Sequence, residues 1–376
     1  MRIWLLEPFY GGSHRAWCDG LMRSSVHQWR LFQRPARHWK WRMQGAAISL
    51  AEDVIAADGR PDLLVASDML DCATFLGLAR RRLGDVPLAL YFHENQLSYP
   101  WSPTDPDRGS GRDLHYGFIN YRSALAADRL FFNSTYHRDS FFEALRALLH
   151  RMPDDRGLSS LDRLTTRTAV LPLGLDLRRF DGQREADTRH WRRPRILWNH
   201  RWEYDKDPEA FADLLGTLAE QGCEFDLVLC GPRFARIPPA LERIRRDFGP
   251  QILHDGRLER FEDYARWLTS CDLLPVTSRQ DFFGISVAEA VYCGVTPLLP
   301  NRLAYPEIYD PLRRPELFYR DFDELNERLA SLIRAWHRPT SAAPLASLLL
   351  EYDWSRIAPR YDELFRSIAD AAPDGT

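Results

Sequence analysis

Residues 278–297, SRQDFFGISVAEAVYCGVTP, place two carboxylates around a glycine at the expected start of an apolar helix. Asp281 and Glu289 are separated by seven residues, with Gly284 between them. Eight positions correspond to about two helical turns, so the spacing predicts both carboxylates on nearly the same helix face. The free N–H groups near Gly284 and Ile285 would face the same ligand, and such groups favour a diphosphate. Because an acid such as Glu289 is costly in an apolar helix without a polar partner, the stretch predicts a ligand site.

Short apolar runs without strict polar alternation occur on both sides of this stretch and are separated by helical patterns. Such runs are typical of strands buried on both faces of a parallel sheet. The first half predicts strands at 2–6, 29–32, 63–66, 88–92, 129–132 and 169–171, and helices at 13–25, 43–57, 69–82, 112–126 and 134–149. The second half predicts strands at 195–199, 225–230, 252–254, 273–276 and 295–299, and helices at 207–221, 238–248, 260–270, 284–293, 321–337, 343–350 and 355–371.

This repetition predicts an α/β protein with two facing Rossmann-like domains, each built on a parallel sheet. The expected divisions are an N-terminal domain at 1–180, a polar linker at 181–194, a second domain at 195–352 and a C-terminal segment at 353–376.

Composition excludes several classes of protein. The chain has 376 residues, of which 45% are hydrophobic and 27% charged, so it has enough apolar material for large cores. It contains no targeting segment and no apolar run able to span a bilayer, which predicts a cytoplasmic protein without a membrane partner. Six scattered cysteines form no C-x-x-C pair, and neither G-x-G-x-x-G nor a Walker A pattern is present. Asp-x-Asp triplets occur at 105–107, 205–207 and 321–323, but three unrelated hits in an acid-rich chain do not indicate a metal-dependent enzyme. No metal, cofactor or obligate protein partner is therefore expected.

The loops that follow the predicted strands carry most of the candidate site residues, because ligands of parallel sheets bind beyond the strands' carboxyl ends. Gly11 and Gly12 follow the first strand and allow close approach to a ligand at a helix start, although a plain strand-to-helix turn is the alternative. Arg201 and Lys206 can converge on one phosphate after strand 195–199. Lys206 and Lys40 are the only lysines of the chain. The loop after strand 88–92 exposes a run of polar side chains, His93, Glu94, Asn95 and Gln96.

The second half resembles the retaining glycosyltransferases of family four, which have the GT-B fold. The resemblance rests on Arg201 with Lys206, the 281–289 motif, the following Gly-Val-Thr-Pro and the closing Asp353-Trp354. It implies that Glu289 holds a nucleotide ribose, that Arg201 and Lys206 hold the diphosphate, and that His93 lies near the anomeric centre. Asp281 stands where the family usually has Glu, which meets the transferred sugar. The motif also places Phe283 at the donor, and the last helix is implied to cross back to the first domain.

The first half resembles the tRNA-queuosine α-mannosyltransferase family more specifically. The motifs are EPFYGGSH at 7–14, FHENQLSYP at 92–100 and FNSTYH at 132–137. The resemblance implies transfer of mannose from the donor substrate GDP-mannose to the cyclopentenediol of queuosine in the anticodon of tRNA-Asp. Its motif residues His14, Glu94, Asn95 and Gln96 would bind the acceptor.

A basic segment would suit a tRNA acceptor. Residues 1–45 carry eight cations and two anions, a net charge of +6, whereas the whole chain carries −3. Residues 27–42 interleave aromatic residues with the cations Arg30, Arg34, Arg37, Lys40 and Arg42. Cations neutralise phosphates, and Trp and Arg planes can stack on unpaired bases. The alternative is a strand followed by a solvated basic loop.

The expected reaction is a metal-independent transfer that retains anomeric configuration. Arg201, Lys206 and the helix start at Gly284 would stabilise charge on the departing diphosphate, one of whose oxygens would take the acceptor proton. Alternatives are a family-four enzyme using another nucleotide sugar on a lipid or polysaccharide, a non-catalytic nucleotide-sugar or tRNA-binding protein, and an epimerase.

Overall fold

The computed structural model describes residues 1–109, 113–183, 193–231, 237–336 and 343–371. The chain divides into two compact units, one of Met1–Leu175 with Trp354–Thr376 and one of Asp176–Asp353. Most of the predicted linker at 181–194 lies outside the described residues, as do the ends of the predicted helices at 112 and 337.

The first unit is built on a parallel sheet of six strands in the order β2-β1-β3-β4-β5-β6. The strands are β1 (Arg2–Tyr10), β2 (Gln28–Pro35), β3 (Leu63–Ser67), β4 (Leu88–Phe92), β5 (Arg129–Phe132) and β6 (Thr168–Val170). Its helices within the N-terminal part are α1 (Gly12–Ser24), α2 (Trp39–Ala56), α3 (Cys72–Leu83), α4 (Asp113–Ala126), α5 (Thr135–His150) and α6 (Ser160–Thr166).

The second unit repeats this plan with six parallel strands in the order β12-β11-β10-β7-β8-β9. The strands are β7 (Arg195–Trp198), β8 (Asp226–Leu229), β9 (Ile252–Asp255), β10 (Leu273–Pro275), β11 (Thr296–Pro300) and β12 (Phe318–Tyr319). The helices are α7 (Pro208–Glu220), α8 (Pro239–Phe248), α9 (Phe261–Thr269), α10 (Ile285–Tyr292), α11 (Tyr305–Tyr309), α12 (Phe322–Arg334) and α13 (Ala343–Leu349).

The last helix, α14 (Trp354–Ala371), packs on the first unit, as expected. The Tyr361 hydroxyl accepts from Trp17 Nε1 at 3.2 Å and donates to the Pro172 carbonyl at 2.8 Å. Gly20 has no side chain and so leaves room for the Trp354 ring. A Cβ at position 20 would lie 2.0 Å from Trp354 Nε1. The helix is therefore part of the core of this unit.

The parallel pairing of the strands confirms the predicted sheets, and every residue of β3 and β4 is buried, as expected for strands covered on both faces. One expectation about the helix that carries Glu289 is wrong. That helix, α10, begins at Ile285 and Asp281 lies before it. Helical spacing therefore does not apply to Asp281, because Gly284 at φ +88° breaks the backbone path between the two acids. The short elements α6, α11 and β12 were not expected.

Candidate active site

Lys206 is fixed between two carboxylates of the second unit. Its Nζ lies 2.7 Å from Asp281 Oδ1 and 3.2 Å from Asp205 Oδ2, and it donates to the Gln280 carbonyl at 2.8 Å. The side chain is 10% exposed and belongs to a 3-10 turn that follows β7. Three oxygens therefore hold this ammonium group as a fixed point charge.

Arg201 joins Lys206 through a shared partner. Arg201 Nη2 lies 3.1 Å from Asp205 Oδ2, the atom that also contacts Lys206, and Arg201 Nη1 lies 2.9 Å from Glu203. The guanidinium remains half-exposed, whereas the Asp205 side chain is fully buried. The structure thus brings the two predicted phosphate ligands together, and it adds acidic residues that the sequence analysis did not select.

Asp281 has a donor at each carboxylate oxygen. Lys206 reaches Oδ1, and the Tyr305 hydroxyl donates to Oδ2 at 2.6 Å. Burial raises the pKa of Asp281, but the charge of Lys206, the charge that His200 carries at acidic pH and these hydrogen bonds outweigh burial and lower it below its usual value. Asp281 is therefore ionised at neutral pH. Tyr305 was missed because a lone tyrosine after a strand carries no motif.

Glu289 has a different set of partners. Its Oε1 lies 2.6 Å from Arg179 Nη2, and its Oε2 accepts from the Tyr264 hydroxyl at 2.9 Å. Burial raises the pKa of Glu289, opposed by Arg179 and Tyr264. Arg179 also lies over the Phe261 ring, 4.4 Å from its centroid. Arg179 was missed because it belongs to a stretch whose charges look like an ordinary solvated surface.

The start of α10 lies beside a buried histidine. Gly284 is the residue before the helix, and Ser286 in its first turn bonds His200, with Oγ 2.9 Å from Nδ1. The Asn199 amide donates to the Ser286 carbonyl at 2.7 Å. Burial lowers the pKa of His200 to about 4, so its ring is neutral. Phe283, which precedes Gly284, packs edge-on against the Tyr352 ring.

Glu7 and His14 form a buried ion pair in the first unit. Glu7 lies in β1 and its Oε2 is 3.1 Å from His14 Nδ1 in the first turn of α1. Glu7 also accepts from the Phe9 N–H at 2.8 Å and the Ser67 hydroxyl at 3.0 Å. Burial lowers the pKa of His14, but the Glu7 charge and hydrogen bond more than offset this and raise it to about 9. His14 is therefore protonated at neutral pH. Glu7 is a site residue within the EPFYGGSH motif that was not predicted from the sequence.

Gly11 and Gly12 follow β1, where the sequence places them, and Gly12 is the first residue of α1. Gly12 has φ +52°, a conformation that glycine adopts without strain. A Cβ at Gly11 would lie 2.4 Å from the Cβ of Ala36, so this position has no room for a side chain. The turn therefore requires both glycines for structural reasons, and their contact with a donor stays a prediction.

The His93 ring packs against the His14 ring at the end of β4, with the two ring planes inclined by 38°. The ring centroids are 4.2 Å apart, and the Trp17 ring meets His93 edge-on at 4.8 Å. Burial, followed by the charge of His14, lowers the pKa of His93 well below its usual value, so the ring is neutral. His93 Nε2 finds no hydrogen-bond partner among the described residues. The His93 N–H donates to Asp68 Oδ1 at 2.8 Å, and burial raises the pKa of Asp68 to about 8.

The FNSTYH motif at 132–137 holds the loop that contains His93. The Asn133 amide donates to the His93 carbonyl at 3.0 Å, and Asn133 Oδ1 lies 2.9 Å from His137 Nδ1. Ser134 caps α5 by accepting from the His137 N–H. The three N-terminal motifs therefore meet at His93.

Polar residues after His93 shape their own loop. Asn95 is fully buried, and its Oδ1 accepts from the N–H groups of Leu97 and Ser98 at 3.1 and 2.8 Å. The Gln96 amide donates to Glu94 Oε1 at 2.8 Å. Asn95 thus holds a turn, while Glu94 and Gln96 are half-buried. Contact of these three residues with an acceptor stays a prediction.

The basic segment is partly neutralised by its neighbours. Arg34 lies 2.7 Å from Asp53, and Lys40 contacts Asp105 and Asp107 at 2.6 Å each. Arg30 donates to the Asp58 carbonyl and Arg42 to the Pro35 carbonyl, whereas Arg37 is exposed on the turn between β2 and α2. The α2 helix also exposes an apolar stripe that the sequence analysis missed, formed by Trp41, Ile48 and Ile55.

Two further findings concern metals and membranes. Glu7, His14 and His93 offer ligand atoms within 4.8 Å of one another, a distance that could hold a metal ion. An ion there would have to replace the Glu7–His14 ion pair, so the expected metal-independence stays a prediction. Among the described residues, no helix combines the length and apolar character needed to cross a bilayer.

Known proteins resemble this chain in sequence and fold. The family model for the tRNA-queuosine alpha-mannosyltransferase N-terminal region matches residues 2–175. A tRNA-queuosine alpha-mannosyltransferase from Drosophila melanogaster is 33% identical over 339 residues, covering 88% of this chain and 87% of that protein. A GDP-mannose-dependent alpha-(1-6)-phosphatidylinositol dimannoside mannosyltransferase from Mycobacterium tuberculosis is 26% identical, covering 77% of this chain and 69% of that protein. The structure of sucrose-phosphate synthase from Thermosynechococcus elongatus superimposes with a TM-score of 0.71 at 14% identity, covering 99% and 100% of the two chains.

Two parallel α/β units and these relatives define a glycosyltransferase of the GT-B fold. The identity over most of both chains is specific enough to go further. The chain belongs to the tRNA-queuosine alpha-mannosyltransferase family.

Proposed function

We propose that the protein transfers mannose from GDP-mannose to queuosine in the anticodon of tRNA-Asp, with retention of anomeric configuration. The observation that carries the proposal is the meeting of three separated N-terminal motifs at His93, whose ring packs against His14 and whose carbonyl accepts from Asn133. Residues that follow three different strands meet at one residue, His14 at its ring and Asn133 at its backbone carbonyl, which a chance resemblance of short motifs does not explain.

The second unit would bind the nucleotide sugar. Arg201 and Lys206 are close enough to share a diphosphate, since both already reach the same Asp205 oxygen. Glu289 would accept from the ribose hydroxyls and Asp281 from the sugar. The name of the mycobacterial relative supports GDP-mannose as the donor.

The charges of Arg201 and Lys206 support departure of the diphosphate from the sugar. Lys206 lies between two aspartates, so the diphosphate would compete with Asp205 for this cation and for Arg201. Negative charge that grows on the leaving group strengthens that competition, and the stabilisation is therefore larger in the transition state than in the ground state. A diphosphate oxygen would take the proton of the acceptor hydroxyl, without a metal ion. His93 is neutral, so it would act as a hydrogen-bond partner and not as a cation.

The basic segment would bind the acceptor tRNA. Arg37 is the clearest candidate for a phosphate contact because it is exposed, while Arg34 and Lys40 already hold aspartates. Trp41 is 61% exposed on the same segment and offers a ring for base stacking.

A second candidate function is transfer to a lipid acceptor. The apolar stripe of Trp41, Ile48 and Ile55 beside basic residues is the kind of helix face that binds an anionic membrane surface. The mycobacterial relative, named for a phosphatidylinositol dimannoside, favours the same alternative.

One assay separates the two functions. The protein is incubated with GDP-mannose and tRNA-Asp that contains or lacks queuosine, and the nucleosides are analysed by mass spectrometry; a parallel reaction offers vesicles that contain phosphatidylinositol. Mannosyl-queuosine formed only from the modified tRNA supports the proposal. Mannose transferred to lipid, with none on tRNA, refutes it in favour of the second candidate.

A further inference from the structure

Tyr305 donates a hydrogen bond to one of the two carboxylate oxygens of Asp281, and Lys206 donates to the other. Its hydroxyl lies 2.6 Å from Oδ2, while Lys206 lies 2.7 Å from Oδ1. Tyr305 is fully buried as the first residue of α11, and nothing in the sequence motifs marks it. An ionised carboxylate accepts about four hydrogen bonds. Two donors therefore fix its plane and leave acceptor capacity for ligand hydroxyls.

Gly284 makes room for this tyrosine. A Cβ at position 284 would lie 2.9 Å from Tyr305 Cε1, closer than real Cβ contacts come. A side chain there would displace the ring and with it the hydroxyl that reaches Asp281. Position 284 therefore requires glycine for two reasons: a side chain would displace the Tyr305 ring, and the backbone φ is +88°.

We propose that Tyr305 is a positioning residue that sets donor-sugar selectivity by fixing the Asp281 carboxylate. The inference rests on the proposed role of Asp281 at the sugar. An aspartate side chain is one methylene shorter than a glutamate side chain, so its carboxylate reaches less far into the site. A second fixed donor compensates by holding that shorter group in one orientation, which selects hydroxyls of matching geometry.

The test compares the affinity for GDP-mannose with the affinity for GDP by calorimetry. In Tyr305→Phe the affinity for GDP-mannose is expected to fall roughly tenfold to a hundredfold, the effect of losing a hydrogen bond to a charged group. The affinity for GDP stays unchanged, because GDP has no sugar for Asp281 to select. If the affinities for GDP-mannose and for GDP change by the same factor, Tyr305 has a structural role and the proposal is overturned.

Tyr309→Phe is the matched control. Tyr309 is buried in the same helix, and its hydroxyl finds no hydrogen-bond partner among the described residues. Its removal is expected to leave both affinities unchanged. If Tyr305→Phe shows the same GDP-mannose to GDP affinity ratio as Tyr309→Phe and the parent, Tyr305 does not act through Asp281.

A rescue experiment makes the test independent of folding. Asp281→Glu alone is expected to lose selectivity, measured as the ratio of the affinities for GDP-mannose and GDP, because the longer carboxylate meets the Tyr305 hydroxyl. Asp281→Glu with Tyr305→Phe is expected to regain part of it, and a double variant worse than both single ones would contradict the proposal. A parent that prefers another nucleotide sugar refutes the GDP-mannose proposal alone. The same ratio measured with that sugar then supports or overturns the role of Tyr305.

Discussion

Lys40 and Lys206, the two lysines of the chain, are each held between two aspartates. Lys40 contacts Asp105 and Asp107, and Lys206 contacts Asp205 and Asp281. The Lys206 side chain is 10% exposed and that of Lys40 is 26% exposed. Lys206 is therefore placed to serve a ligand from within a buried network, whereas Lys40 ties a surface loop to α2.

Removal of Lys206 should affect both stability and ligand binding. In Lys206→Ala, Asp205 and Asp281 lose the charge between them, and breaking such a buried pair costs about 3–5 kcal/mol. Unfolding in urea is expected to show this loss, and calorimetry with GDP a large fall in affinity. Arg279→Ala is the control, because Arg279 is an exposed partner of Asp207 and such pairs contribute about 0–1 kcal/mol. Equal losses in the two variants would contradict the role given to Lys206.

Glu289→Gln tests whether the carboxylate that holds Arg179 also binds the ribose. The amide keeps the size of the side chain but removes its charge and one acceptor, so the affinity for GDP is expected to fall by about tenfold or more. Arg179→Gln serves as the comparison, since it frees the same carboxylate without removing it. Unchanged GDP affinity in Glu289→Gln would exclude a ribose contact.

The Glu7–His14 ion pair predicts a loss of stability at alkaline pH. The pKa of His14 is about 9 in the folded protein and about 6.5 when unfolded. The folded state therefore holds a proton that the unfolded state has released above pH 6.5. The stabilisation, up to about 3 kcal/mol, is fully present below that pH and disappears as pH rises through about 9.

Thermal unfolding of the parent and of His14→Gln between pH 6 and pH 10 measures this effect. The gap between the two melting temperatures should narrow as pH rises. Asp68 and Glu94 also interact with His14, so the comparison is made between variants and not from the parent's curve alone. The exposed His150→Gln control should show a constant gap. A His14→Gln gap that does not change with pH would refute the ion pair.

Arg37 and Lys40 should differ in their effect on tRNA binding. If Arg37 contacts a phosphate, Arg37→Ala lowers affinity for every tRNA and reduces the slope of log affinity against log salt by about 1. Lys40→Ala should leave that slope unchanged, because its ammonium already serves Asp105 and Asp107. It should instead increase proteolysis within the loop at 101–109. The reverse result would assign the phosphate contact to Lys40.

The fold was largely predictable because strands buried on both faces leave a strong apolar signal. β4 and β5 have the predicted bounds, and only short elements such as α11 and β12 escaped detection. The position of Asp281 was not predictable in the same way. Helical spacing treated Gly284 as part of the helix, whereas its left-handed conformation ends that geometry before Ile285.

The candidate site was predicted in its motif residues and missed in their partners. His93, Lys206 and Glu289 stand in recognisable strand-end or helix patterns. Arg179 and Tyr264 reach Glu289 from 110 and 25 residues away, and Tyr305 reaches Asp281 from 24 residues away, so all three meet their partners only through tertiary packing. Single-sequence patterns record local periodicity, and they carry no signal for a contact between positions more than 100 residues apart, as Arg179 and Glu289 are.

The return of α14 to the first unit affects how the chain can be made and divided. A fragment that stops at Leu175 would lack Trp354 and Tyr361, so its sheet would face water with the apolar surface those rings cover. During synthesis the first unit reaches its final packing only after the second has emerged from the ribosome. Separate production of the two halves would therefore need a rearranged gene that joins residues 354–371 to the first half.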